Sequence, residues 1–214
     1  HLKKEIDAIR QKGIEVSPGN LKLSARATIS MPWHKVQDEL EEDRLSQTGT
    51  AFGSTHRGIA YAYSDKYRKK TLRLGDLLHL KESSVQQRLH TMLDAKNMEL
   101  AGCYHQEPMS FPALIEWCEK QAEQFAEYIC DTGEYLRTAL DNGKKVVLEA
   151  QLGAMRDIDY GIFPYTSSSS TISAYGPIGA GIPEHTLNHV VGVLKAYSTC
   201  VGAGPFVAEN AMTE

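Results

Sequence analysis

Between Glu149 and Thr171 the chain reads EAQLGAMRDIDYGIFPYTSSSST. Two carboxylates, Asp157 and Asp159, are spaced to point the same way from an extended backbone, and Thr166 to Thr171 form an unbroken run of hydroxyl residues. Hydroxyls and turn amides just past a strand end suit an anionic ligand, because each donates a hydrogen bond without adding charge. A Ser-rich run also reads as a flexible linker. The apolar Ile162-Phe163-Pro164-Tyr165 immediately upstream argues against that, since linkers rarely carry such residues. The aspartate pair lacks a third oxygen ligand at a recognisable spacing, so it is not read as a metal site.

A second chemical segment is Gly53-Ser54-Thr55-His56-Arg57-Gly58. It offers hydroxyls, backbone amides and one guanidinium, the ingredients of a phosphate clasp, without the Lys-Ser/Thr ending of a P-loop. A plain turn has the same composition. Downstream, Lys66, Arg68, Lys69, Lys70 and Arg73 make a cationic run, which reads either as a solvated helix face or as a lever toward an anion. His34, His105, His185 and His189 show no partner pattern and read as surface or helix-packing histidines.

The elements that must position these segments follow from hydrophobic spacing. Leu2, Ile6 and Ile9 mark a helix that Gly13 ends. Leu21 to Ala27 reads as a short strand. Pro32 opens a helix whose outer face is acidic, with Asp38, Glu39, Glu41, Glu42 and Asp43. Ser83 or Ser84 is expected to cap a helix carrying Val85, Leu89, Met92 and Leu93. One long helix is expected from about Phe111 to Leu140, with Leu114, Cys118, Phe125, Ile129, Leu136 and Leu140 as its buried stripe. A strand over Lys145–Leu148, a helix through Leu187 and Val190, and a second apolar strand over Val191–Ser198 complete the pattern. Helices alternating with Val/Leu-rich strands imply an α/β fold with a mostly parallel central sheet flanked by helices.

Net charge of −4 gives no global attraction to nucleic acid or membrane, and no apolar run approaches the ~20 residues of a membrane span. Cys103, Cys118, Cys130 and Cys200 show no CxxC pairing and read as reduced cysteines of a cytoplasmic protein. His1 in place of Met, and an end at Glu214 without a closing element, suggest part of a longer chain.

The glycine-hydroxyl loop continues into Ile59, then Ala62-Tyr63-Ser64-Asp65-Lys66 and Leu72-Arg73-Leu74-Gly75-Asp76-Leu77. Later comes Gly192-Val193-Leu194-Lys195-Ala196-Tyr197-Ser198-Thr199-Cys200-Val201-Gly202-Ala203-Gly204-Pro205-Phe206. With the Glu149–Thr171 segment, in this order and over about residues 1 to 209, these blocks resemble adenylosuccinate synthetase.

The resemblance implies a P-loop-NTPase-like synthetase fold with a helical dimerisation portion. Residues 1–214 would be the central part of a larger domain, about 35–145 mainly helical and about 145–209 carrying strands and nucleotide-binding loops. It implies GTP-dependent ligation of IMP to L-aspartate, in which the purine oxygen takes the γ-phosphate of GTP before the aspartate amine displaces it. Mg²⁺ and GTP are the implied cofactor and co-substrate, held by residues other than these, and no catalytic or metal-binding residue is expected in this segment.

Site residues carry over position by position. Thr55 matches the threonine that binds the IMP phosphate, and Ser167 matches a second phosphate-binding threonine, with Thr166 as the alternative donor. Lys69 stands where an arginine reaches across a homodimer to the partner's IMP phosphate; lysine keeps the charge but loses the bidentate fork. Leu152 stands at the family's base-contacting amide, with Gln151 one residue early. Val201 and Gly202 match the wall beside sugar and base, where glycine lets backbone come close. His56 replaces a usual glycine, a departure that bears on loop shape because side chains disfavour left-handed angles. Two other classes compete: a nucleotide-binding paralogue that has lost catalysis, and a nucleic-acid module using the Lys66–Arg73 run. The second would need interleaved aromatic stacking residues and strongly salt-dependent binding.

Overall fold

The computed structural model describes residues 1–149, 152–197, 199 and 202–206. Its helices are α1 (Leu2–Gln11), α2 (Pro32–Ser46), α3 (Ile59–Arg68), α4 (Ser83–Tyr104), α5 (Phe111–Phe125), α6 (Thr132–Asp141) and α7 (Gly176–Ala180), and its strands are β1 (Leu23–Ser24) and β2 (Ile129–Cys130). These fall into two compact units that interleave in sequence: residues 1–29 with 68–145, and residues 30–67 with 146–214.

The first unit is built on helix packing. Ile6 of α1 is buried with Phe125 and Tyr128, and Leu2, Val16, Leu21 and Leu23 pack around them. Gly13 follows α1 at φ +79°, the left-handed exit expected of it. Val85, Leu89, Met92 and Leu93 are all buried along α4, as their spacing requires. Neither Ser83 nor Ser84 caps that helix; Glu82 occupies the cap position, and both serines lie within the first turn.

The expected single helix over 111–140 is broken. It ends at Phe125, a 3-10 turn covers Ala126–Tyr128, and Ile129–Cys130 turns extended to pair in parallel with Leu23 and Ser24. Asp131 then caps α6 by accepting a hydrogen bond from the Glu134 N–H at 3.1 Å. Pairing with a strand distant in sequence, followed by the Asp131 cap, overrides a continuous apolar stripe. Burial pushes the Cys118 thiol on α5 up to about 12, which keeps it protonated and inert.

The sheet is smaller than the sequence implies. Among the described residues it has two strands of two residues each. Residues 144–149 and 189–195 form no ladder among the described residues, and Val147, Val193 and Leu194 are 90, 95 and 94 % exposed. A strand is stabilised by its neighbours, and within the described residues these apolar segments have none. The expected helix through Leu187 and Val190 is likewise absent; the chain there is turn and coil.

In the second unit α2 and α3 meet through polar groups. The His34 Nδ1 accepts a hydrogen bond from the Met31 N–H at 3.0 Å, which leaves the ring proton on Nε2, 3.0 Å from Asp65 Oδ2. Both side chains are buried. Gly58 seals this contact: a Cβ on it would lie 2.5 Å from the His34 carbonyl carbon, and its φ is +71°. Only glycine fits both constraints.

Candidate functional site

The loop between α2 and α3 carries Thr55, and α2 determines its shape. Asp38 and Glu42 lie one helical turn apart, so their side chains share a face. Asp38 Oδ1 accepts from the Ser54 hydroxyl at 2.6 Å, and Oδ2 accepts from the Gly58 N–H at 2.8 Å. Glu42 Oε1 accepts from the Gly53 N–H at 2.5 Å and the Ser54 N–H at 3.0 Å, while Oε2 lies 3.4 Å from the Phe52 nitrogen. The Ser54 hydroxyl in turn accepts from the His56 N–H at 3.1 Å. The expected solvated acidic face is therefore half wrong: Asp38 is buried and Glu42 half-buried, both turned onto this loop. His56 does adopt a left-handed conformation, at φ +53°. Five of the loop's amides point inward, and Thr55 is exposed on the outside.

The hydroxyl-rich segment is equally constrained. Asp157 is 1 % exposed and is its organising group. Its Oδ2 accepts from the Thr171 N–H at 2.7 Å, and its Oδ1 from the N–H groups of Asp159 at 3.0 Å and Tyr160 at 3.1 Å. These bonds, that from Thr171 foremost, hold its carboxyl below the usual carboxylate range. Asp159 is exposed, so the two carboxylates form no pair. The Arg156 carbonyl accepts from the Ser167 N–H at 2.8 Å, and the Arg156 guanidinium donates to the Tyr165 carbonyl. The segment is an ordered double turn and not a linker.

Contacts within this unit bring the candidate loops together. The Phe52 and Tyr165 rings lie edge to face with centroids 6.3 Å apart. The Phe52 carbonyl accepts from the Ala203 N–H at 2.9 Å. A Cβ on Gly53 would stand 3.1 Å from the Gly202 Cα, so these two backbones approach closely. Ser167 Oγ is 2.8 Å from Ser169 Oγ, and Ser169 hydrogen-bonds the Tyr63 side chain on α3. Burial raises the Tyr63 phenol above its ordinary value, so it stays a proton donor.

Of the expected site residues, Thr55, Thr166, Ser167, Leu152 and Gly202 belong to this unit, and Lys69 to the other. Thr166 and Ser167 are half-buried, whereas Leu152 and Lys69 are exposed at left-handed φ of +63° and +61°. Gln151 and Val201 lie outside the described residues. Asp38, Glu42 and Tyr63 were not singled out from sequence. The signal for the first two was present, because His34, Asp38 and Glu42 recur every four residues on one helical face.

No group of three or more His, Cys, Asp or Glu side chains among the described residues is arranged to hold a metal ion. No described helix is long and apolar enough to cross a membrane.

A family model described as adenylosuccinate synthetase matches residues 1–214. Adenylosuccinate synthetase of Caldicellulosiruptor bescii is 43 % identical over 209 residues, covering 97 % of this chain and 47 % of the relative. That of Listeria monocytogenes is 39 % identical over 208 residues, again covering 97 % and 47 %. A solved structure of the fully ligated adenylosuccinate synthetase of Plasmodium falciparum superposes with a TM-score of 0.83 at 32 % identity, over 96 % of this chain and 47 % of that one. The chain thus spans about half the length of the curated relatives it matches. With every one of its residues inside the family match, the chain belongs to the adenylosuccinate synthetase family.

Proposed function

We propose that residues 1–214 form the IMP-phosphate-binding portion of an adenylosuccinate synthetase, which joins IMP to L-aspartate at the expense of GTP in purine biosynthesis. The single observation carrying this reading is the convergence of the Thr55 loop, the Ser167 turn and the Gly202 backbone within one unit, through Phe52, Tyr165 and Ala203. In this role Thr55 and Ser167 donate hydroxyl hydrogen bonds to the phosphate, with Thr166 beside them. Gly202 and Val201 line the nucleoside, and Leu152 or Gln151 meets the base. Such donors bind and orient a dianion without bringing a counter-charge, so a cation must come from elsewhere. Lys69 of a second copy supplies it in a homodimer.

Mg²⁺ supports phosphoryl transfer in this family, and its ligands and the GTP contacts are read as lying in other residues. The apolar segments at 144–149 and 189–195 are strands of a mostly parallel central sheet in a P-loop-NTPase-like synthetase fold; their exposed Val147, Val193 and Leu194 support that reading. The enzyme is expected in the cytoplasm.

The test is steady-state kinetics on the full-length enzyme with IMP, GTP and aspartate. Thr55→Ala and Ser167→Ala should each raise the KM for IMP about tenfold, the loss of one hydrogen bond to a charged group, and leave the KM for GTP unchanged. Lys69→Ala should act in the same direction. An unaltered KM for IMP in all three variants refutes the assignment. The 214-residue polypeptide alone is expected to form no adenylosuccinate.

A further inference from the structure

We infer that Asp38 and Glu42 are positioning residues for phosphate recognition: as a two-carboxylate clamp on α2, they hold the 52–58 loop in the shape that presents Thr55 outward. The inference rests on the reading of Thr55 as a phosphate ligand and adds how that ligand is held in place.

The geometry carries it. Four loop bonds of 2.5 to 3.0 Å, and a fifth at 3.4 Å, end on two side chains of one helical face. A loop with two glycines at positive φ, Gly53 and Gly58, would sample many conformations if left to its own sequence. Fixing it at the moment of ligand binding would cost about 1–2 kcal/mol per residue, so a loop ordered beforehand binds more tightly.

The clamp has a second consequence. The N–H groups of Phe52, Gly53, Ser54 and Gly58 face carboxylate oxygens, and that of His56 faces the Ser54 hydroxyl. Those donors are taken by the protein's own acceptors. The loop therefore does not cradle phosphate with these amides in the manner of a P-loop, and its recognition falls to side chains, Thr55 first. A bare spacing of glycines and hydroxyls does not distinguish these two modes. The direction of the amides does.

The discriminating experiment compares Glu42→Ala, Glu42→Gln, Asp38→Ala and Thr55→Ala in the full-length enzyme. Glutamine keeps one oxygen for the Gly53 and Ser54 amides, so Glu42→Gln should restore most of the wild-type behaviour. Glu42→Ala and Asp38→Ala should raise the KM for IMP about tenfold with little change in the KM for GTP. Amide hydrogen exchange in residues 52–54 should quicken at least tenfold in Glu42→Ala without ligand. That readout needs no activity, and a variant that merely loosened the whole fold would quicken exchange in α4 as well. Ser54→Ala, which removes only the Asp38 hydroxyl bond and the His56 contact, serves if Asp38→Ala does not fold. If Thr55→Ala raises the KM for IMP and Glu42→Ala does not, the clamp is refuted and the phosphate site stands. If neither changes it, the site itself is refuted. A KM for IMP that falls in Glu42→Ala would make the carboxylate a competitor of the anion, and would overturn the clamp.

Discussion

The 52–58 loop and the 189–195 segment invert the usual relation between composition and order. The first is rich in Gly, Ser and Thr, yet most of its amides are tied to Asp38 and Glu42. The second is rich in Val and Leu, yet its side chains stand in solvent without a ladder. Order follows from partners. Two carboxylates on one helix satisfy four of the loop's amides, because each bond is short-range and needs only one acceptor. An apolar strand needs an entire neighbouring strand and a covering layer before its burial contributes anything.

Substitutions can break this contrast, beginning where the tied region is tightest. Gly58→Ala should destabilise the protein by about 3 kcal/mol, since its methyl meets the His34 backbone and its φ is left-handed. A melting-temperature loss of less than 2 °C would mean that the loop can rearrange around it. Asp157→Asn comes next, because asparagine cannot accept from Thr171 on one side and from Asp159 and Tyr160 on the other. Its effect should also depend on pH. The folded-state carboxyl titrates below its unfolded value, so its stabilisation is complete above that value, near 3.8, and is lost as pH falls through the lower folded one. Denaturant unfolding at pH 7 and at pH 3 should therefore show a large gap between wild type and variant at the higher pH and a smaller one at the lower. A constant gap would assign the loss to packing.

The opposite end of the contrast is expected to be nearly silent. Leu194→Lys, at a position 94 % exposed, should change the stability of the 214-residue chain by no more than about 0.5 kcal/mol. In the full-length enzyme the same change should be far more damaging if the segment there pairs into a sheet. Equal, small effects in both would remove 189–195 from any core.

Much of this was legible in the sequence because it depends on near neighbours. The helix starts at Pro32, the exit at Gly13 and the buried stripe of α4 follow from spacing and caps that act within one turn. What failed to carry over was long-range. The 111–140 stripe has good helical periodicity, but pairing of Ile129 and Cys130 with Leu23 and Ser24 decides the break at Phe125. No local rule names a strand more than a hundred residues away.

The candidate site divides in the same way. Thr55, Ser167 and Gly202 were marked by correspondence with the family's blocks. Asp38 and Glu42 looked like the wet side of a helix, because a carboxylate that serves backbone amides has the same sequence signature as one that serves water. Likewise, Asp157 and Asp159 are chemically equal in sequence, and burial makes one the anchor of a turn and leaves the other in solvent.

Taken alone, the order of the residues determined where α1, α2 and α4 form, which side chains carry hydroxyls and charges, and to which family the blocks correspond, since all of these reside in local spacing or in direct correspondence. Tertiary structure decided which acid faces inward, which way the loop amides point, and which apolar segments find a neighbour. Those outcomes depend on where a hydrogen-bond or packing partner stands in space, and that position is a property of the assembled chain.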